Sequence, residues 1–114
     1  MKMSTSEAGK ARVITVEEER IDAAVAVHFK ERMKELCGAT PRQIVLDLST
    51  VEFVDSSGLG AIVGAMKQLT RNRRLDLVGL NPAVEKVFRM TRMDSVFRIF
   101  DTIDDAVEDM ADAS

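Results

Sequence analysis

Short apolar runs alternate with helical stripes of apolar residues from Val13 to the end of the chain. Three runs have the length and composition of buried strands, and they span residues 13–16, 44–48 and 75–80. Residues 96–100 are apolar apart from Arg98, which predicts a fourth strand. If that strand follows the usual pleat, Arg98 points away from Phe97 and Ile99.

Helical segments lie between and after these strands. Asp22 is placed to cap a first helix that runs to Leu36. The second helix has the clearest stripe, because its apolar residues recur at helical spacing: Leu59, Ile62, Val63, Met66 and Leu69. Asn81 followed by Pro82 is a typical start for a third helix. The sequence Thr-Ile-Asp-Asp at 102–105 resembles a capping box and predicts a final, short acidic helix.

Alternation of strands and helices favours an α/β fold, in which helices cover a small, largely parallel sheet. The 114 residues of the chain are enough for one domain with its own core. Residues 1–10 are rich in Ser, Thr and Gly, which predicts a flexible N-terminal tail. The predicted organisation is therefore a tail over residues 1–10 and a single domain over residues 11–114.

Composition argues against several classes of function. The net charge of −3 disfavours sequence-independent binding to nucleic acid, which needs a clustered basic surface. Cys37 and His28 are the only residues of their types, so an internal disulfide and the usual multi-Cys or multi-His metal sites are excluded. No apolar run is long enough for a transmembrane helix, and residues 1–12 do not resemble a secretory signal. We therefore expect a cytoplasmic protein without a metal, a cofactor or a membrane partner.

The most informative segment is the hexapeptide Asp-Ser-Ser-Gly-Leu-Gly at residues 55–60. It follows a buried strand and begins the clearest helix, so two hydroxyls and a carboxylate lie beside the free N–H groups of a helix start. Such a position tolerates negative charge, which suits reversible phosphorylation better than catalysis. Gly58, Gly60 and Gly64 weaken the helix by up to ~1 kcal/mol each relative to Ala. We expect that a strand or a partner approaches the backbone there.

In its strand-to-helix context, this hexapeptide resembles the STAS domain of bacterial anti-sigma factor antagonists. The resemblance extends to the sequence Asn-Pro-Ala-Val-Glu-Lys-Val-Phe at 81–88, to Met90-Thr91, and to the strand and acidic helix at the end. It implies a small mixed sheet of about four to five strands flanked by about four helices. It also implies that Ser56, directly after the aspartate, is the residue phosphorylated by a partner serine kinase.

In that family the kinase is itself the anti-sigma factor and is an ATPase of the histidine-kinase-like type. The unphosphorylated antagonist binds the anti-sigma factor and thereby frees the sigma factor. Phosphorylation ends the binding, and a metal-dependent serine phosphatase restores it. By this resemblance the chain has protein partners, no cofactor and no catalytic residue of its own.

The resemblance suggests a set of partner-binding residues: Asp22, Asp55, Ser57, Gly58 and Leu59. Asp22 aligns with the acidic residue of a Gly-x-Leu-Asp element, but residues 19–22 are Glu-Arg-Ile-Asp, so the glycine is absent. Asp22 is therefore either a contact or a plain helix cap. Asp55 either orients the Ser56 hydroxyl or caps the turn. Ser56 by itself could be only a cap, although Ser57 can cap while Ser56 accepts the phosphate.

Enzymatic functions have weak support. Gly58, Gly60 and Gly64 lack the spacing and the acidic partner of a dinucleotide-binding loop. No Gly-x-Ser-x-Gly elbow is present, and His28 lies in the middle of a predicted helix, so a serine hydrolase is a distant alternative. The leading interpretation is a non-enzymatic regulatory binding module. The alternative is a STAS subunit of a lipid-transport or stress-signalling complex without a serine phosphorylation cycle.

Overall fold

Strands and helices alternate along the computed structural model, which describes residues 1–70 and 72–113. The strands are β1 (Met3–Ala8), β2 (Ala11–Val16), β3 (Arg20–Ile21), β4 (Gln43–Asp47), β5 (Phe53–Val54), β6 (Arg74–Val78) and β7 (Ile99–Phe100). The helices are α1 (Ala26–Cys37), α2 (Ser56–Lys67), α3 (Pro82–Met90) and α4 (Ile103–Ala113), with a short 3-10 helix at Met93–Ser95.

Five strands form one mixed sheet in the order β1-β2-β4-β6-β7, and β3 and β5 form a separate pair. β1 is antiparallel to β2, whereas the other neighbours are parallel. The predicted α/β class with a largely parallel sheet is therefore confirmed. The strands predicted at residues 13–16, 44–48 and 75–80 coincide with β2, β4 and β6 to within two residues.

The two faces of the sheet carry cores of different size. On one face, α1, α2 and α3 cover a large apolar core that includes Phe29, Leu46, Ile62 and Phe88. On the other face, α4 covers a smaller cluster formed by Ala11, Val13, Val45, Val78 and Ala106. Both faces of a largely parallel sheet are apolar and need to be covered. The second apolar cluster is small, so the single helix α4 is enough to cover it.

The helix starts predicted from capping residues are confirmed for α3 and α4. The Val84 N–H donates to Oδ1 of Asn81 at 3.0 Å, and Pro82 occupies the first turn. The Asp105 N–H donates to Oγ1 of Thr102 at 3.1 Å. Both bonds satisfy N–H groups that have no partner within the helix.

The prediction of a flexible tail is wrong for Met3–Ala8, because this segment forms β1. Ser and Thr are compatible with a strand at the edge of a sheet, and the hairpin partner β2 supplies the hydrogen bonds that the local composition did not reveal. Gly9, at φ +60°, permits the tight turn between the two strands.

The predicted role of Asp22 as cap of α1 is also wrong. Its Oδ1 accepts the Ala24 N–H at 3.1 Å, and its carbonyl oxygen accepts the Val25 N–H at 3.1 Å. These bonds form a separate turn, so α1 begins only at Ala26, and its N-cap residue Val25 makes no side-chain capping bond. Short side-chain-to-backbone bonds of Asp favour turns in this way.

The fourth strand is shorter than predicted, because residues 96–98 do not belong to β7. The N–H groups of Val96 and Phe97 both donate to the Met93 carbonyl oxygen, so the chain is still in a turn there. The Phe97 ring packs edge-on against Phe88, with centroids 6.0 Å apart. Tertiary packing of one aromatic side chain therefore overrides the strand pattern.

A buried polar group lies between the sheet and α4. Asp76 on β6 is 1% exposed. Its Oδ2 accepts hydrogen bonds from Nε2 of Gln43 at 2.7 Å and from Nε of Arg74 at 2.9 Å. Both donors also bind α4. Gln43 donates to the Ala106 carbonyl oxygen at 2.8 Å, and Arg74 donates to the Asp109 carboxylate at 2.9 Å. The network therefore ties α4 to two central strands.

Candidate functional site

The hexapeptide lies where β5 ends and α2 begins, at the carboxyl edge of the short β3–β5 pair. Asp55 is the N-cap residue, in an extended conformation, and Ser56 is the first residue of the helix. Ser56 is thus not the cap, and Ser57 is not the cap either. The carboxylate takes that role, since its Oδ1 accepts the Gly58 N–H at 2.8 Å.

Asp55 has a second structural role. Its other oxygen, Oδ2, accepts the Ala23 N–H at 3.2 Å. One side chain therefore joins the start of α2 to the turn that contains Asp22. Both regions that were predicted to contact a partner are held together by this carboxylate.

The hydroxyls of Ser56 and Ser57 are available for chemistry. Both residues are exposed, and no described residue forms a hydrogen bond with either hydroxyl. They follow the N-cap, where the first N–H groups and the helix dipole favour an added negative charge. The site can therefore accommodate a phosphate without losing an existing side-chain bond.

Gly58 permits a close approach between α2 and β3. A Cβ atom added to Gly58 would lie 1.9 Å from the carbonyl oxygen of Ile21, a distance that no side chain can occupy. The expectation that a strand approaches this backbone is therefore confirmed at Gly58. At Gly64 the neighbour is instead the Lys30 side chain, 3.1 Å from the added Cβ.

Gly60 has no such neighbour inside the protein. An added Cβ would meet no described atom within 4 Å, and the residue is exposed. Ser56 and Gly60 are four residues apart on α2 and therefore lie on the same face of the helix. The internal packing of the described residues does not require glycine at this position.

Leu59 is not part of the exposed surface that carries the hydroxyls. It is 9% exposed and belongs to the large core. Gly58 is buried as well. Of the residues predicted to bind a partner, Asp22, Asp55 and Ser57 lie at or near the surface. Gly58 and Leu59 are buried and support the start of α2 from inside the protein.

Two further residues lie next to the site and were not singled out from the sequence. Arg20 and Phe53 are directly opposite each other on β3 and β5. The Arg20 guanidinium lies 4.1 Å from the Phe53 ring centroid, and its Nε is 3.2 Å from Oδ2 of Asp22. Phe53 nevertheless remains 40% exposed. An aromatic residue two positions before the Asp55 cap was the available signal, but only strand pairing shows that Arg20 covers it.

The sequence profile of a known family, the STAS domain, matches residues 2–106. The chain belongs to the STAS domain family. Its fold matches the crystal structure of an anti-sigma factor antagonist from Mycobacterium paratuberculosis with a TM-score of 0.83 and 25% sequence identity, over 94% of this chain and 91% of that chain.

Relatives of this STAS domain carry names of the same kind. It is 34% identical over 80 residues to the anti-sigma-B factor antagonist of Listeria monocytogenes, covering 69% of this chain and 70% of that protein. It is 28% identical over 87 residues to the anti-sigma-F factor antagonist RsfB of Mycobacterium tuberculosis, covering 76% of this chain and 71% of that protein. The resemblance seen in the hexapeptide is thereby confirmed at the level of the family.

His28 and Cys37, the two other residues considered for chemistry in this STAS domain, lie on α1. His28 is exposed on α1. Cys37 is buried at the end of the same helix, and burial raises the pKa of its thiol. Within residues 1–70 and 72–113, no group of three or more His, Cys, Asp or Glu side chains is arranged to hold a metal ion.

A groove of about 770 Å³ runs along the β6 and β7 side of the STAS domain. Arg74, Asp76, Phe97 and Arg98 contribute to its lining, and Ser56 does not. The candidate phosphorylation site is therefore separate from this groove. It lies on an exposed surface that another protein can cover. No helix in the described part of the chain combines the length and the apolar character that crossing a membrane requires.

Proposed function

We propose that this STAS domain is an anti-sigma factor antagonist whose binding to an anti-sigma factor is switched off by phosphorylation of Ser56. The observation that carries the proposal is the position of Ser56. It is exposed, its hydroxyl has no partner among the described residues, and it is the first residue of a helix capped by Asp55. The names of the relatives support the choice of partner.

In this proposal the catalytic groups belong to the partners. The anti-sigma factor is a serine kinase of the histidine-kinase-like ATPase type, which supplies ATP and Mg²⁺, and this chain supplies the attacking hydroxyl of Ser56. The unphosphorylated form binds the anti-sigma factor and releases a sigma factor. A serine phosphatase removes the phosphate and restores binding. The proposal includes a cytoplasmic location for the protein.

The effect of the phosphate follows from local charge. It adds about −1.5 to −2 charges at neutral pH. The start of α2 tolerates this charge, so the fold is expected to survive. A partner that packs over Ser56 would instead have to desolvate the phosphate next to the Asp55 carboxylate. A loss of ~3 kcal/mol in the interface weakens binding roughly 100-fold.

The contact surface in this proposal combines the exposed residues around Ser56. Asp22, Asp55 and Ser57 provide polar contacts. Phe53 is an exposed aromatic residue, of the kind that is enriched in protein interfaces. Gly60 fits the same surface, because its open side lets a partner approach the α2 backbone closely.

The proposal is tested by capture of binding proteins from the native cell with wild type, Ser56→Ala and Ser56→Asp. We expect wild type and Ser56→Ala to retain an ATPase of the histidine-kinase-like type, identified by mass spectrometry. Ser56→Asp should retain much less of it. Equal capture by all three proteins, or capture of a transport complex in its place, would contradict the proposal.

A further inference from the structure

We infer that two copies of this chain pair through β1, in an antiparallel arrangement with Thr5 of one copy opposite Thr5 of the other. Among the described residues, β1 is the terminal strand of the five-stranded sheet and has β2 as its only neighbour there. Pairing would join the two sheets into one continuous sheet. This inference is independent of the proposed function of Ser56.

The direction of the backbone groups of β1 is determined by its pairing with β2. The Glu17 N–H donates to the carbonyl oxygen of Lys2 at 2.9 Å, in line with the register in which Met3 faces Val16 and Ser4 faces Thr15. In an antiparallel pair, hydrogen-bonded and non-hydrogen-bonded positions alternate. The backbone groups of Ser4 and Ser6 therefore point towards β2. Those of Met3, Thr5 and Glu7 point outward.

The side chains of β1 leave this outer edge accessible. Ser4, Thr5 and Ser6 are exposed and uncharged. Edge strands are commonly protected by Pro, by inward-pointing charges or by a bulge, and β1 has regular pairing from Met3 to Ala8 without a Pro. Its flanking charges are paired within the chain, since Lys2 lies 3.5 Å from Glu17 and Glu7 lies 3.4 Å from Arg12.

The opposite edge of the sheet is a poor partner for β1. β7 has only two residues, Ile99 and Phe100. They are flanked by Arg98 and Asp101, both of which are exposed. A six-residue strand cannot be matched there. A second β1 offers the same length and the same outward groups, which favours a two-fold pair over a head-to-tail chain.

One register satisfies all the constraints. Outward-pointing residues must face outward-pointing residues, so slips of a single residue are excluded. With Thr5 on the two-fold axis, Met3 faces Glu7 and Ser4 faces Ser6, and no like charges meet. A centre at Ser6 would place Lys2 opposite Lys10, and a centre at Ser4 would pair fewer residues. The Thr5-centred register supplies roughly six main-chain hydrogen bonds, two for each outward pair.

The interface is small, so the dimer is expected to be weak and reversible. Interfaces below about 1,200 Å² belong to the weak and transient class. In sedimentation velocity, wild type should shift towards the dimer between roughly 10 μM and 1 mM, the range in which such affinities are populated. Thr5→Lys places two charges opposite each other on the axis and should raise the dissociation constant at least tenfold. Ser95→Lys, which adds the same charge on the 3-10 helix, should behave like wild type.

Disulfide capture tests the register. Hydrogen-bonded antiparallel pairs have Cα atoms about 5.5 Å apart, which suits a disulfide. Thr5→Cys should therefore form a covalent dimer on mild oxidation much faster than Thr50→Cys, an exposed threonine elsewhere. Cys37 is buried and contributes little background. Wild type that stays monomeric at the highest concentration, a dimer that persists in Thr5→Lys, or equal cross-linking of the two cysteine variants would each overturn the inference.

Discussion

The carbonyl oxygen of Ile21 lies 1.9 Å from the position that a Cβ atom on Gly58 would take. The two backbones touch because β3 and the first turn of α2 cross there, directly beside Ser56. Gly58 is thus required by the packing of this chain, whether or not another protein binds there. Gly58 therefore has a structural role at the site, whereas Gly60, which meets no such neighbour, remains a candidate for contact with a partner.

Gly58→Ala should lower the free energy of unfolding by about 1–3 kcal/mol, the range seen when an extra carbon is forced into a packed place. Gly60→Ala is the matched control on the same helix, and an added Cβ there meets open space. It should raise stability by up to ~1 kcal/mol, because Ala is the better helix former. Urea denaturation of both variants measures the difference. Equal effects would show that the crossing at Ile21 is not as close as described.

Gly60→Ala should nevertheless weaken binding to the anti-sigma partner. The proposed surface needs a close approach to the α2 backbone, and an added methyl group would prevent it. Titration calorimetry against the captured partner should show weaker binding by a protein that is more stable. Unchanged affinity would remove Gly60 from the contact surface and leave the Ser56 assignment intact.

Asp55→Asn should break one of the two bonds that Asp55 makes. The side chain of Asn has a single acceptor oxygen, so it can retain the cap at Gly58 but not also accept the Ala23 N–H. We expect faster amide hydrogen exchange at Ala23 with little change at Gly58. Asp55→Ala loses both bonds and should cost about 1–2 kcal/mol of stability. Unchanged exchange at Ala23 in both variants would contradict the link between the turn and the helix.

Ser56 rather than Ser57 should carry the phosphate after incubation with the cognate kinase and ATP. Ser56→Ala should abolish incorporation, whereas Ser57→Ala should retain it, and peptide mapping by mass spectrometry locates the group. Phosphate found on Ser57 alone would show that the assignment is wrong.

Ser56→Asp should bind the anti-sigma partner much more weakly than Ser56→Ala, which should bind constitutively. The added charge would be desolvated beside Asp55. Both variants should melt within a few degrees of wild type, because the core stripe of α2 is not altered. Ser95→Asp adds the same charge at an exposed site away from the hexapeptide and should leave affinity unchanged. Loss of binding through unfolding of Ser56→Asp would exclude the electrostatic explanation.

Asp76 should make stability depend on pH. Burial raises the pKa of its carboxyl group in the folded protein, and hydrogen bonds from Gln43 and the charge of Arg74 oppose the rise only in part. A raised folded pKa means that the folded state binds the proton more tightly than the unfolded chain. The stabilising contribution is complete below the unfolded value and is lost as the pH rises through the folded pKa.

Asp76→Asn should remove this dependence. Relative to wild type, the variant should gain stability as the pH rises from the ordinary carboxyl pKa through the raised pKa of folded Asp76. Urea denaturation across this range measures the difference, with Asp112→Asn as a surface control. A difference between wild type and Asp76→Asn that does not vary with pH would contradict the role of Asp76.

Local sequence determined most of the elements of this protein. Apolar runs predicted β2, β4 and β6, and the helical stripe from Leu59 predicted α2, because burial of apolar side chains enforces their period. Asn81 and Thr102 marked helix starts correctly, since a cap acts within one turn of the chain. The hexapeptide indicated a phosphorylation site at the start of α2, because hydroxyls, a carboxylate and a helix start are neighbours in sequence. The choice of Ser56 within it came from the family resemblance and stays a prediction.

Only the tertiary structure decided the features that depend on distant residues. Met3–Ala8 became a strand because β2 supplies its hydrogen bonds, and residues 96–98 stayed out of β7 because Phe97 packs on Phe88. The bond from Ala23 to Asp55 spans 32 residues, so no local pattern could assign it. The same holds for Arg20 over Phe53 and for the contact that requires Gly58. The periodicity of apolar residues indicates which face of a helix or strand is buried. Which group packs against that face depends on contacts between segments distant in sequence, and a local pattern does not encode those contacts.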